Sequence, residues 1–193
     1  MEIQVYRFTG ISPLLMANIE SVNLKLPKLK LGTKPNDGDV KKVAEGNLYK
    51  NDDGSYYMPC EALRLSLFKG CSGQKFAGDR RGPATIFQGL LFPAEDRANL
   101  IHADGKPIKK HVPQIDSGVN KATKARIIVV RPRIEEWQMD VPFQIDDEFA
   151  PENYEEFKAA LLALWNRAGR AVGIGAWRPE NKGRYGRYSV EQV

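Results

Sequence analysis

Four glycines (Gly173, Gly175, Gly183 and Gly186) and four cations (Arg178, Lys182, Arg184 and Arg187) fall within fifteen positions near the end of this 193-residue sequence. Trp177 and Tyr185 lie among them, and Tyr188 follows directly. Glycine admits positive φ and lets a backbone come close to a neighbour. Arginine brings a fixed charge and a planar fork suited to phosphate, and an aromatic face can stack on a base. Together these types suit a nucleic-acid backbone better than a small metabolite. The same composition would also serve a glycine-rich turn ahead of a terminal strand.

The charge is modest in sum and uneven in place. The net charge is +5, with 29 Lys and Arg against 24 Asp and Glu. Between Asp104 and Arg133 there are eight Lys or Arg and two Asp, whereas residues 135–156 hold nine acids and no Lys or Arg. A basic stripe is what a polyanion requires, because each neutralised phosphate releases a counterion. Acidic and basic segments could equally face one another, within the chain or between copies in head-to-tail growth. Other cations with a claim on nucleic acid are Arg64, Lys69, Arg80, Arg81, Lys109, Lys110, Lys121 and Lys124.

Catalytic motifs are sparse. Only two histidines occur, His102 and His111, and Asp37 and Asp39 are the faint carboxylate candidates. There is no P-loop, nucleophile elbow or paired-carboxylate motif. Gly173-Ile174-Gly175 lacks the third glycine of a dinucleotide fingerprint and precedes a strand. No cofactor or metal is expected. Cys60 and Cys71 lack metal-ligand company and read as reduced thiols in a cytoplasmic protein. No apolar run approaches the roughly twenty residues of a membrane span, and the first residues read as a strand, not a signal peptide.

The elements that must position these residues follow from periodicity. Residues 2–8 alternate as a strand. The Leu-Lys alternation of 24–32 is an edge strand or a basic loop, and Asp37 to Gly46 is at most a short helix. Residues 48–58 form a hairpin about Asp53-Gly54. Pro59 opens a helix whose buried stripe is Cys60, Leu63, Leu67 and Cys71; Arg64 and Lys69 lie off it. Residues 72–83 are loop, and 85–92 a buried strand. Residues 102–121 show little periodicity and read as a functional insertion. Residues 124–130 and 136–145 are expected to pair as antiparallel strands across Arg131-Pro132-Arg133. The clearest helix is 152–168, with Phe157, Leu161, Leu164, Trp165 and Ala168 inward, acids in its first turn and Gly169 as its cap. A last strand runs over 185–190. This order predicts a single α+β domain over 1–193 with a ferredoxin-like (RRM-like) antiparallel sheet, two helices on one face and a basic thumb-like insertion at 102–121.

Three segments resemble the RAMP superfamily of CRISPR-associated RNA-binding proteins, in particular the backbone subunits that coat guide RNA. The glycine-rich segment from Gly173 to Tyr188 is similar to their C-terminal loop. Residues 56–70, with a hairpin, a proline and a helix carrying a late basic residue, resemble their first helix. Residues 10–16 resemble the exit of their first strand. Cys60-Glu61-Ala62 stands where serines are common in the family.

The resemblance implies sequence-independent binding of RNA (or single-stranded DNA), head-to-tail homo-oligomers and further effector subunits. It makes 102–121 the thumb that reaches a neighbour, places phosphates on Arg178, Lys182, Arg184 and Arg187, and gives Trp177 and Tyr185 to base stacking or loop support. Related proteins include metal-independent ribonucleases that use a histidine. Such an enzyme, and an assembly protein without nucleic acid, are the alternatives to a coat.

Overall fold

The computed structural model describes residues 2–27, 29, 31–32, 34–75, 82–119, 123–146 and 154–193, with the side chains of Tyr154 and Glu155 left out. Strand β1 (Glu2–Gly10) lies at the centre of a four-stranded antiparallel sheet with β4 (Leu91–Pro93), β8 (Gln138–Ile145) and β9 (Tyr188–Gln192), in the order β4-β8-β1-β9. Helix α2 (Cys60–Gly70) precedes β4, and helix α4 (Tyr154–Ala171) joins β8 to β9. Counting these elements as β-α-β-β-α-β reproduces the ferredoxin-like arrangement. Period-two alternation decides which face is covered. Tyr6 and Phe8 of β1, with Val141 and Phe143 of β8, are buried, whereas Ile3 is exposed.

The core is aromatic. Phe8 meets Trp165 of α4 edge-on at 5.1 Å and Tyr188 of β9 at 5.4 Å, and Phe143 lies 5.4 Å from Trp165. Such edge contacts are worth about 0.5–1.5 kcal/mol each beyond burial. The helix stripes are inward as their spacing requires: Cys60, Leu63, Leu67 and Cys71 from α2, and Phe157, Leu161, Leu164, Trp165 and Ala168 from α4. The two helices meet where Gly70 leaves no room for a side chain against Ala168. Because the aromatics of β1, β8 and β9 point into this core, the open face of these three strands lacks the aromatic platform on which RRM-type sheets stack bases, and Phe92 of β4 is the exposed ring of the sheet.

A second layer interrupts this unit twice. The excursion after β1 contains β2 (Leu14–Leu15), α1 (Asp37–Gly46) and β3 (Tyr57–Pro59). The excursion after β4 contains β5 (Arg97–Asn99), which pairs with β3, and a long hairpin of β6 (Val112–Val119) and β7 (Arg126–Ile134). Strand β2 completes a β2-β7-β6 sheet by pairing Leu14 with Ile134 and Leu15 with Arg133. Helix α1, capped by the Asn36 side chain, covers one face of that hairpin through Val40, Ala44 and Val130.

Several expectations change. Residues 85–92 are not one strand: Pro83 starts helix α3 (Pro83–Leu90), and only Leu91–Pro93 pair in the sheet. A proline at the first helical position outweighed the β-forming Thr85-Ile86-Phe87 run. The strands expected to pair with each other lie in different sheets, since β7 takes β6 as partner and β8 takes β1 and β4. Within 102–121, His102 to Lys106 close a tight turn, Ile108 is buried and 112–119 form strand β6, paired with β7, while residues 120 and 121 lie outside the described residues. Gly169 is not a cap; α4 continues to Ala171, and the turn out of it is Gly173, at φ 70°. Gly169 instead lets α4 contact β9, where an added Cβ would collide with Tyr188. Among the described residues of 24–32 there is no strand.

Candidate nucleic-acid interface

The loop from Gly173 to Arg187 is folded tightly against both sheets. The Ile174 amide donates to the Gly186 carbonyl at 2.9 Å, and the Tyr185 amide to the Trp177 carbonyl at 3.1 Å. Its outer anchors are the Gly186 amide on the Pro13 carbonyl and the Ala176 amide on the Leu15 carbonyl, each at 2.8 Å. Since Leu15 pairs with Arg133 of β7, the loop is held at fixed distance from the hairpin.

The glycines serve this closure and not the approach of a ligand. A Cβ on Gly186 would fall on the Ile174 carbonyl oxygen, and one on Gly183 on the Trp177 carbonyl oxygen. The corresponding space at Gly173 and Gly175 is likewise filled by the chain, at Gly186, Pro179 and Leu15.

The candidate cations divide by what they already touch. Arg64 is structural: Nε donates to the Leu91 carbonyl at 2.9 Å and Nη2 to the Gln88 carbonyl at 3.1 Å, closing the end of α3 between the rings of Phe68 and Phe92. Lys69, at the end of α2, pairs with Glu180 at 2.5 Å. Arg178 gives Nε and Nη2 to the same Glu180 carboxylate and Nη1 to the Gly175 carbonyl. Lys109 donates to the Asp53 carbonyl and pairs with its carboxylate. Arg184 stacks over Tyr185 at 5.4 Å. By contrast, the side chains of Lys110, Lys124, Lys182 and Arg187 make no hydrogen bond or ion pair among the described residues. Arg80, Arg81 and Lys121 lie outside the described residues.

Of the two aromatics, Tyr185 is buried with Leu15 and Ala176 and supports the loop. Trp177 is half-buried, and its backbone is held in the left-handed region at φ 49°. Such a conformation costs a non-glycine residue about 1–2 kcal/mol and concentrates at binding sites. Trp177, Arg178 and Tyr49 line a cleft of about 360 Å³ between the loop, the start of α2 and strand β7.

Arg131 of β7 reaches the same cleft, and sequence reasoning had placed it only in a connector. It and Arg133 are two apart on one face of the hairpin. Arg133 gives Nη1 to Gln114 at 2.7 Å and Nη2 to Glu135 at 2.5 Å. Gln114 donates from Nε2 to Asp116 at 3.1 Å, and Arg131 makes no hydrogen bond or ion pair among the described residues, its Nη1 enclosed. Burial pushes the Arg131 guanidinium below its ordinary value, against the pull of the Asp116 charge. The signal that could have marked it was the spacing of Arg131 and Arg133, two apart within a strand that carries no acid.

A larger, shallower depression of about 790 Å³ lies elsewhere, rimmed by Asp52, Asp53, Glu95, Asp96 and Arg97. Its excess of carboxylates disfavours phosphate.

The histidines stand apart from the cleft residues. His102 is exposed in its turn, and the His111 Nδ1 lies 2.9 Å from the Tyr56 hydroxyl, its value lowered by burial. Asp37 and Asp39 occupy the first turn of α1, capped by Asn36. Among the described residues no group of three His, Cys, Asp or Glu is arranged to hold a metal ion. No described helix is long and apolar enough to cross a membrane. Of the acidic segment, Glu135 pairs with Arg133 and Asp140 with Arg7 within the chain, and residues 147–153 lie outside the described residues.

No family model matches the chain, and no curated protein matches it. Among solved structures it is similar to the crystal structure of Cmr6 from Pyrococcus furiosus, with a TM-score of 0.47, 11% identity and 97% of each chain covered. That identity is too low to carry residue roles from one chain to the other.

Proposed function

We propose that this chain is an RNA-binding subunit of RAMP type that coats the guide RNA of a CRISPR-type ribonucleoprotein, largely independently of sequence. The observation that carries the reading is the junction of the glycine-rich loop with the hairpin. There Arg131 lies in the cleft wall with Trp177 and makes no hydrogen bond or ion pair among the described residues, nor do the side chains of Lys182 and Arg187. A folded protein that keeps cations unpaired next to an aromatic wall is prepared for a polyanion. The hairpin extends this surface with Lys124 and with exposed Ile115, Val119 and Ile127. These residues suit contact with a neighbouring copy, so that chains stack head to tail along one strand.

Purification under low salt tests this. The reading expects an absorbance ratio typical of bound RNA and arcs or rods that fall apart on ribonuclease treatment. A nucleic-acid-free monomer at high concentration in sedimentation contradicts the coat, and preference for single-stranded DNA over RNA contradicts the choice of strand.

A further inference from the structure

We infer that the cleft between the loop and β7 grips a single nucleotide of the bound strand, its phosphate on the Arg131 guanidinium and its base against Trp177. The inference rests on the RNA-binding reading and adds to it a discrete, saturable site. Three observations converge on it.

The Arg131 guanidinium lines the cleft half-buried, with Nη1 enclosed and no hydrogen bond or ion pair among the described residues, and such a partly desolvated cation gains from an anion at its cleft side. Asp116 acts on it only through its charge, without a hydrogen bond or ion pair. The amide of Gln114, directly opposite in register, is committed to Arg133 and Asp116. Glu180, the carboxylate nearest along the loop, is shared between Lys69 and Arg178. Arg131 is therefore the cleft's available cation, with a planar fork that matches two phosphate oxygens.

The walls then select what carries the phosphate. Trp177 and Tyr49 line the cleft with Met58 and Pro59, an apolar part of a mixed wall that also holds Arg178 and Asn181 and that offers a ring a face to lie on. A volume of about 360 Å³ lies at the lower end of small-ligand sites and suits one nucleotide, not a duplex. The left-handed backbone of Trp177, fixed by the Tyr185 amide on its carbonyl, keeps that wall in place before any ligand arrives. Preorganisation of this kind lowers the cost of binding.

The test titrates the full chain with AMP, UMP, adenosine and inorganic phosphate, following tryptophan fluorescence and melting temperature, and in parallel with a labelled 12-nucleotide single-stranded RNA. The inference expects saturable binding of both monophosphates, with nucleoside alone and phosphate alone each weaker by roughly tenfold or more. Arg131→Gln should weaken the monophosphates by roughly tenfold or more, the scale of one lost charge-assisted pair. Without ligand, that variant should melt no lower than the parent chain, because a half-buried charge with an enclosed, unbonded nitrogen has been removed. Arg131→Lys, which keeps charge without the fork, should fall between the two and decides the matter if Arg131→Gln does not fold.

Excess 12-nucleotide RNA should displace AMP. Equal AMP affinity in Arg131→Gln and the parent chain, phosphate binding as tight as AMP, tighter capture of an acidic peptide, or no competition between RNA and AMP each overturn the inference. RNA binding with no AMP binding rejects the pocket and leaves the RNA reading intact. Loss of both RNA and AMP binding rejects the two together.

Discussion

Lys69, the late basic residue of α2, forms an ion pair of 2.5 Å with Glu180 in the C-terminal loop, across 111 positions of sequence. The same carboxylate fixes Arg178, so one acid sets two cations at the edge of the cleft. Hydrogen bonding from Lys69, then from Arg178, holds the Glu180 carboxyl below the ordinary glutamate range. A carboxylate lowered in the folded state contributes stability above its unfolded value, about 4.3. It loses that contribution as pH falls through the folded value. We therefore expect the loop to loosen below about pH 4, seen as faster amide exchange over 173–187. Glu180→Gln should show the loosened loop already at pH 7, at a cost of about 0.5–1 kcal/mol because the group is largely solvent-exposed. Identical exchange in both chains at pH 7 would count against this role.

Gly186→Ala should destabilise strongly. The new methyl group would meet the Ile174 carbonyl, and the residue sits at φ 64°. Overpacking costs about 1–3 kcal/mol, and a left-handed alanine adds about 1. Gly89→Ala is the control, since nothing lies within 4 Å of its Cβ and it sits in helix α3. That change should leave stability level or raise it by up to about 1 kcal/mol. Chemical denaturation of the two variants distinguishes a glycine required by packing from one that is incidental.

Arg64→Ala and Arg187→Ala should separate folding from binding. Arg64 closes the last carbonyls of α3, so its loss should cost about 1–3 kcal/mol in unfolding free energy. The salt dependence of RNA affinity should not change. Arg187, unpaired among the described residues, should behave oppositely: an unchanged melt and a slope of log affinity against log salt shallower by about 0.7. If Arg64→Ala alters the slope, it contacts phosphate after all.

Cys60 and Cys71 are free and buried, and desolvation pushes both thiols up to about 12. At pH 8 neither should react with a thiol reagent in the native state, and both should react at once in denaturant. Rapid native labelling at either site would show that the helix interface opens.

Much of this fold was readable because burial imposed a period. The stripes of α2 and α4 face a single core, and that signal survives in sequence, whereas alternation marked β1 as a strand without fixing its face, since Tyr6 and Phe8 are buried and Ile3 is exposed. Strand β6 escaped notice because Val112, Ile115, Ser117 and Val119 remain exposed while Gln114 and Asp116 serve each other, so no apolar period marks it. The partner of β7 was misjudged for a topological reason, since adjacent segments of chain belong to two sheets. At the candidate site, residue types singled out the loop, yet glycine composition says nothing about what fills the space above each Cα. Arg131 could not be singled out in sequence, because its lack of a hydrogen-bond partner among the described residues shows only once Gln114 and Asp116 are placed in three dimensions.

The most direct measurement is ultraviolet crosslinking of the full chain to single-stranded RNA, followed by mapping of the crosslinked peptides. The account predicts adducts at Trp177 and Tyr49 and on peptides of the loop 173–187 and the hairpin 112–134, abolished by excess unlabelled RNA. Adducts confined to the open face of the main sheet, around Phe92 and Pro142, or none at all, would contradict it.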